Sequence, residues 1–335
     1  MTESNSDFFS LATSLGMSAD QMRLQMLMMP HAARRQAAAF SEKTRFVHYT
    51  SAETAVSIIR NKEIWLRKVA CMNDLSEVHY GNDRLYRACS PEKFRDRLRK
   101  VLDSVGDGVV AGFEELWGGW QQHLFSDTYT FCLSEHENSE DILGRLSMWR
   151  AYGKNCGVAL VVNSQFSSTA SPNFGAFTSP VAYFSDDEFM HAFEELLENM
   201  EHNVDFLKSI PRENFVGMLF NVFRYAALAT KHPAFREERE WRIIHSPRMD
   251  DSKYIVRDVA VIGGVPQQIC KIPLKDVPEV GLVGAEIPSL VDRIIIGPTE
   301  HAFTTWEAFV ELLMSVGVPE PEKRVIVSRV PLRNS

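Results

Sequence analysis

Glu237-Glu238-Arg239-Glu240-Trp241-Arg242-Ile243-Ile244 decides how this chain folds. It follows a helical stretch and runs from five charges in six positions into an apolar pair, so it reads as a return to β-structure. Successive strand residues point to opposite faces. On that pattern Glu238, Glu240 and Arg242 line one side, and Arg239, Trp241 and Ile243 the other. Two carboxylates on one strand face repel each other. A carboxylate fixed on a strand is also well placed to grip ribose hydroxyls or to act as a base. The competing reading is an edge strand kept soluble by its charge.

Upstream, residues 186–231 have helical periodicity. Phe189, Phe193, Leu196, Leu197 and Met200 form one face, and Phe215, Met218, Leu219, Val222 and Phe223 a second. Further upstream, Arg45–Thr50 reads as a strand and Ser51 as the cap of a helix carrying Ala55, Ile58 and Ile59. Ile64–Arg67 and Thr128–Leu133 read as strands, Ser134–Ser139 as a polar loop and Leu146–Tyr152 as a short helix. The apolar run Gly157–Val162 reads as a buried strand. Val181–Phe184, Ile269–Leu274, Arg293–Ile296 and Val325–Val327 complete the strands, with Gly263-Gly264 as a hairpin turn. The class is α+β, with a mixed, largely antiparallel sheet and helical insertions. Residues 1–43 read as an N-terminal helical arm, and 44–335 as a single α+β domain with a helical insertion at about 186–231. The arm carries Met22, Leu24, Met26, Leu27 and Met28 after a capping Ser18. Methionine-rich surfaces adapt to varied partners, so the arm is a candidate for partner docking or for packing on the domain.

Hydrophobic content of 45% and charged content of 24% are those of an average globular chain. The net charge of −8 argues against a broad nucleic-acid footprint. The five cysteines are scattered and include no C-x-x-C pair, which fits reduced thiols. No segment approaches the roughly 20 apolar residues that span a bilayer, and the start lacks a signal-peptide pattern. A cytoplasmic address with no membrane partner is the expectation.

Four clusters carry candidate chemistry. His48-Tyr49-Thr50 ends a strand, where His48 can hydrogen-bond a ligand and Tyr49 can stack on it, or the histidine can be satisfied within the fold. Asn73-Asp74 with Glu77 is a polar turn that also suits capping. In Met148-Trp149-Arg150-Ala151-Tyr152-Gly153, two aromatics bracket an arginine, suiting a ring and a phosphate or equally a core. The acidic strand is the fourth. There is no H-E-x-x-H, P-loop, G-x-G-x-x-G or G-x-S-x-G motif, and His191 and His202 lack a matching ligand set, so no metal is expected.

The ordered set His48-Tyr49-Thr50, Asn73-Asp74 with Glu77, Cys132-Leu133-Ser134-Glu135, Met148-Trp149-x-x-Tyr152-Gly153 with Gly157, and Glu238-x-Glu240-Trp241-Arg242 resembles a broad group of bacterial and phage proteins known as a domain of unknown function. The likeness covers roughly residues 44–300. A second resemblance is to ADP-ribosyltransferases, whose split, mixed sheet carries a His or Arg on its first core strand, an aromatic or serine-containing middle motif and a Glu on a late strand. The Ser-Thr-Ser motif of that family is missing here. This resemblance implies NAD as the consumed nucleotide and a protein or nucleic-acid acceptor. It implies that His48 holds the ribose, with Tyr49, Thr50 and Asn73 beside it. Trp149 or Tyr152 would stack on nicotinamide next to Arg150. Glu240 would bind the ribose 2′-hydroxyl and stabilise an oxocarbenium-like transition state, with Glu238 orienting the acceptor. The expected setting is a toxin or phage-defence effector. The alternative is a non-catalytic sensor that binds a nucleotide or partner, with Glu240 and Arg242 as a structural ion pair. Metal-dependent nucleic-acid hydrolysis through Asp74, Glu77 and Glu240 is a third, weaker reading. The enzyme reading makes one spatial demand: His48, Tyr152 and Glu240 must converge on one cleft.

Overall fold

A computed structural model describes residues 17–71, 75–153, 156–163 and 174–331. Asn73 and Asp74, and the side chain of Glu77, lie outside the described residues. The strands in chain order are β1 (Arg45–Ser51), β2 (Glu63–Lys68), β3 (Tyr129–His136), β4 (Gly157–Val162), β5 (Phe177–Pro180), β6 (Ala182–Tyr183), β7 (Thr230–Lys231), β8 (Glu240–His245), β9 (Val256–Ile262), β10 (Val265–Pro273), β11 (Val291–Ile296) and β12 (Val325–Val327). The fold is α+β with a mixed, largely antiparallel sheet, as the sequence pattern predicts.

The chain divides into two compact units. One is helical and consists of described residues within 1–38, 68–128 and 179–236. The helices Ala19–Met28, Leu75–Cys89, Glu92–Val105, Val109–Gln121, Asp186–His202 and Arg212–Leu228 share one core. Leu24, Met28, Phe113, Phe189, Phe193, Phe215 and Phe223 are buried in it. This division differs from an arm followed by a single domain. The methionine stripe is turned inward, with Met22, Leu24 and Met28 all buried, and so the N-terminal helices are part of the helical unit. The 186–231 helices form that unit together with 75–121. Ser18 does cap the helix Ala19–Met28, in a reciprocal box with Gln21.

The α+β unit consists of described residues within 39–67, 129–178 and 237–335. Its sheet runs β12-β11-β4-β1-β3-β2-β10-β9, with β8 also paired to β3. Side-chain alternation gives the sheet two different faces. Phe46, Phe131, Leu133, Leu160, Trp241, Ile243 and Ile294 lie in the larger core, with the helices Ala52–Asn61 and Ala302–Ser315 packed there. Val47, Tyr49, Ala159, Val161 and Ile295 face the other way, against Met148 and Trp149 of the helix Leu146–Tyr152.

Two expected boundaries move. Ser134–His136 continue β3, because they pair with Arg45–Val47 of β1. The acidic strand starts at Glu240. Residues Pro233–Glu238 form a 3-10 turn, and Arg239 takes a left-handed φ of 44°. Glu238 and Glu240 are therefore not two residues of one strand face.

Candidate functional site

β3 is the centre of the candidate site, flanked by β1 on one edge and β8 on the other. β1 pairs with β3 only over Arg45–Val47 and continues along β4 as far as Ser51. Where the two strands part, the His48 ring takes the place of a main-chain partner, with Nδ1 2.9 Å from the Cys132 carbonyl. A carbonyl only accepts, so Nδ1 carries the proton. Burial pushes the His48 pKa down to about 4 against the pull of that carbonyl, leaving the ring neutral. It also lies 4.4 Å from Phe131 between ring centroids, on the larger-core face.

β8 pairs with β3 in the register Ser134↔Glu240 and Cys132↔Arg242. Directly paired residues share a face. Since Val47 also pairs with Ser134, Glu240 and Arg242 lie on the face of Val47 and Tyr49. His48 and Thr50 lie on the opposite face. The demand that His48 converge with Glu240 is not met, and the cause is the period-two alternation within His48-Tyr49 itself.

On its own face Glu240 is 5% exposed and Arg242 1%. Arg242 Nε donates to Glu240 Oε1 at 2.7 Å, and Nη2 lies 3.4 Å from Oε2. Trp241, pointing the other way, donates from Nε1 to Glu135 Oε1 at 2.8 Å.

The aromatic residues expected to stack on a cofactor separate into two kinds. Tyr49 and Trp149 are buried, with rings edge-on at 4.9 Å. Trp149 donates to the Leu143 carbonyl at 2.8 Å, and the Tyr49 hydroxyl accepts from the Arg145 amide at 2.8 Å. Burial pushes the Tyr49 pKa up to about 12. Both side chains serve the core. Tyr152 is half-buried at the margin of that cluster and Arg150 is exposed. One strand, β3, lies between the Val47 position and Glu240, and the two inter-strand spacings of about 4.8 Å span about 10 Å. The structure thus places Tyr49, Trp149 and Tyr152 on the Glu240 face, and it divides His48 and Thr50 from them.

Sequence reasoning missed Arg145. All five of its guanidinium N–H groups are engaged. Nε and Nη2 grip both oxygens of Glu140 at 2.8 and 3.0 Å. Nη2 also reaches the Glu135 carbonyl at 2.7 Å, and Nη1 reaches the carbonyls of Glu237 and Glu238 at 2.9 and 3.1 Å. Arg239 adds bonds to Glu140 at 2.8 Å and to Glu137. Arg145 and Arg239 hold the Glu140 carboxyl below its usual range despite burial. Beside this cluster, Arg45 bridges Asp141 at 2.8 Å and Asp292 at 2.6 Å, and His136 Nε2 meets Asp141 at 2.9 Å. These polar and ionic contacts tie the 136–145 loop and the entry to β8 to the sheet. The one sequence signal, an isolated arginine in a loop, carries no period and no spacing.

Among the described residues no group of three His, Cys, Asp or Glu side chains is placed to hold a metal ion, and no helix is long and apolar enough to cross a membrane.

Residues 148–243 match the model of a family described as "Protein of unknown function (DUF2971)". The match takes in the Met148-Trp149-x-x-Tyr152-Gly153 motif, Gly157 and Glu238-x-Glu240-Trp241-Arg242, and supports the resemblance to an uncharacterised family. No curated protein and no solved structure matches the chain.

Proposed function

We propose that this chain is an NAD-consuming, ADP-ribosyltransferase-like enzyme with Glu240 as its essential carboxylate, in a form without the His48 corner of the expected cleft, which the register of β1 and β8 on β3 removes. The supporting observation is Glu240 itself: a glutamate 5% exposed at the start of a strand, with its oxygens held by Arg242. A carboxylate accepts at about four positions, and one fixed in place by Arg242 is chemically suited to a ribose 2′-hydroxyl. In the reaction, the bond between C1′ of the ribose and the nicotinamide nitrogen breaks, and its electron pair leaves with nicotinamide. Glu240 stabilises the positive charge developing on the ribose. The acceptor attacks C1′ and gives up a proton. Tyr152 and Arg150, at the margin of the same face, line the approach, and Glu238 meets the acceptor. His48 has no part as a ribose ligand in this reading and acts instead as a brace between β1 and β3.

Incubation with NAD, with nicotinamide release and label transfer to lysate protein and nucleic acid as readouts, tests the proposal. Glu240→Gln lowers turnover by at least about a hundredfold, measured on protein whose circular dichroism is that of the wild type, since loss of the buried pair with Arg242 also lowers stability. A wild-type chain that releases no nicotinamide with any acceptor refutes it.

The second reading is a nucleotide- or partner-binding module without turnover. It is favoured by the commitment of Tyr49 and Trp149 to the core and by the ion pair that neutralises Glu240. Its signature is an NAD-induced rise in melting temperature, undiminished by Glu240→Gln and without nicotinamide release.

A further inference from the structure

The helical unit carries a partly open pocket of about 130 Å³ that the Glu240 proposal does not use. Its walls are built from Met28, His31, Phe184, Phe189, Phe193 and Phe223. The rings present edges and faces at mixed angles: His31 stands at 67° to Phe184 with centroids 5.1 Å apart, and Phe193 at 78° to Phe223. His31 lies in the first turn of the helix Pro30–Ser41, and no described residue hydrogen-bonds its ring nitrogens. Burial, reinforced by Arg35 and Arg34, pushes its pKa down to about 4, so the ring is neutral near pH 7.

We infer that this cavity is a binding site for a small, neutral, single-ring aromatic molecule carrying a hydroxyl group, with the ring against the phenylalanine walls and the hydroxyl hydrogen-bonded to His31. The volume matches one ring, because an apolar cavity of about 150 Å³ holds one benzene ring. The aromatic lining selects a ring, through edge-to-face contacts and the thioether of Met28. A neutral ligand is favoured, since the lining is mostly apolar and its one carboxylate, Glu195, is already paired with Arg34 at 3.4 Å. Neutral imidazole supplies one acceptor and one donor, and a phenolic hydroxyl complements either. The inference is independent of the Glu240 proposal.

Phenol and toluene are the probes, titrated separately into the full-length chain and followed by calorimetry and thermal shift. Both bind saturably to the wild type. His31→Phe keeps the ring but removes the nitrogens. It weakens phenol by about 2- to 10-fold and leaves toluene unchanged. Val222→Phe fills the cavity from its lining and abolishes binding of both. Absence of saturable binding to the wild type, or unchanged phenol affinity in Val222→Phe, overturns the inference. Should Val222→Phe not fold, the ratio of phenol to toluene affinity in His31→Phe decides, and an unchanged ratio is the overturning result.

Discussion

Replacing Arg145 with methionine keeps an unbranched apolar stem and removes every guanidinium contact. The carbonyls of Glu135, Glu237 and Glu238 then lose a donor, and Glu140 loses a bidentate partner. Charge-assisted bonds contribute about 1.5–3 kcal/mol each in isolation, but they share one donor group and do not add. Arg239 still holds Glu140, which limits the loss. With side chains only 9% and 11% exposed, the pair belongs with buried ion pairs, whose disruption costs about 3–5 kcal/mol. The lower end applies, and about 3 kcal/mol corresponds to a fall of roughly 6–12 °C in melting temperature for a unit of this size. Thermal unfolding followed by circular dichroism gives the shift, and hydrogen exchange of peptides from β3 and β8 locates it. Arg145→Lys recovers less than half, since one ammonium does not reproduce the planar fork. The acid limb supplies a second check. The folded pKa of Glu140 is depressed, so its stabilisation is present above its ordinary value of 4.5 and is lost as pH falls through the lower folded value. Arg145→Met flattens that part of the pH profile. A melting temperature within about 2 °C of wild type, or full rescue by lysine, refutes the assignment of Arg145 as the tie between β3 and the entry to β8.

Other outcomes follow from the same geometry. His31, His48 and His136 all have lowered folded pKa values, with burial as the main cause. For His31 and His48 the unfolded chain therefore binds more protons between about pH 4 and 6.5, and stability falls as pH drops through that window, by at most about 1.4 kcal/mol per pH unit for each group, with His136 acting in the same direction. His48→Gln reduces the slope; an unchanged slope in chemical denaturation rules out the neutral buried His48. Gly297→Ala places a methyl group 2.9 Å from Trp149 Cε3 and Cζ3 and 3.1 Å from the Gly157 carbonyl. It costs about 1–3 kcal/mol by overpacking, readable as a lower denaturation midpoint, and a neutral result contradicts the core placement of Trp149. Ser51→Ala removes the hydroxyl that accepts from the Thr54 amide at 3.2 Å. It lowers stability by about 1 kcal/mol, and no change in the midpoint excludes the cap.

Local sequence signals were sufficient where an element depends on its own residues. The capped helix after Ser51, the apolar β4 and the hairpin at Gly263-Gly264, where both glycines take positive φ, are set by hydroxyl placement, apolar run and turn chemistry. The α+β class follows from the change of period around residue 240. Long-range pairing was not legible. Ser134–His136 look polar and loop-like, yet they complete β3 because β1 supplies a partner.

The candidate site shows the same boundary. From the sequence alone came the acidic segment, the pairing of Arg242 with a neighbouring carboxylate and the choice of Glu240 as the residue to change first. Only the tertiary structure decided that His48 and Glu240 face opposite sides, since this follows from the joint register of β1 and β8 on β3. It alone brought Arg145 to two separate stretches of backbone and turned Leu24 and Met28 into the helical core. Period and capping are encoded in neighbouring residues. Facing, burial and ionic partnership depend on residues far apart in the chain, which meet only after the sheet and the helical core have formed.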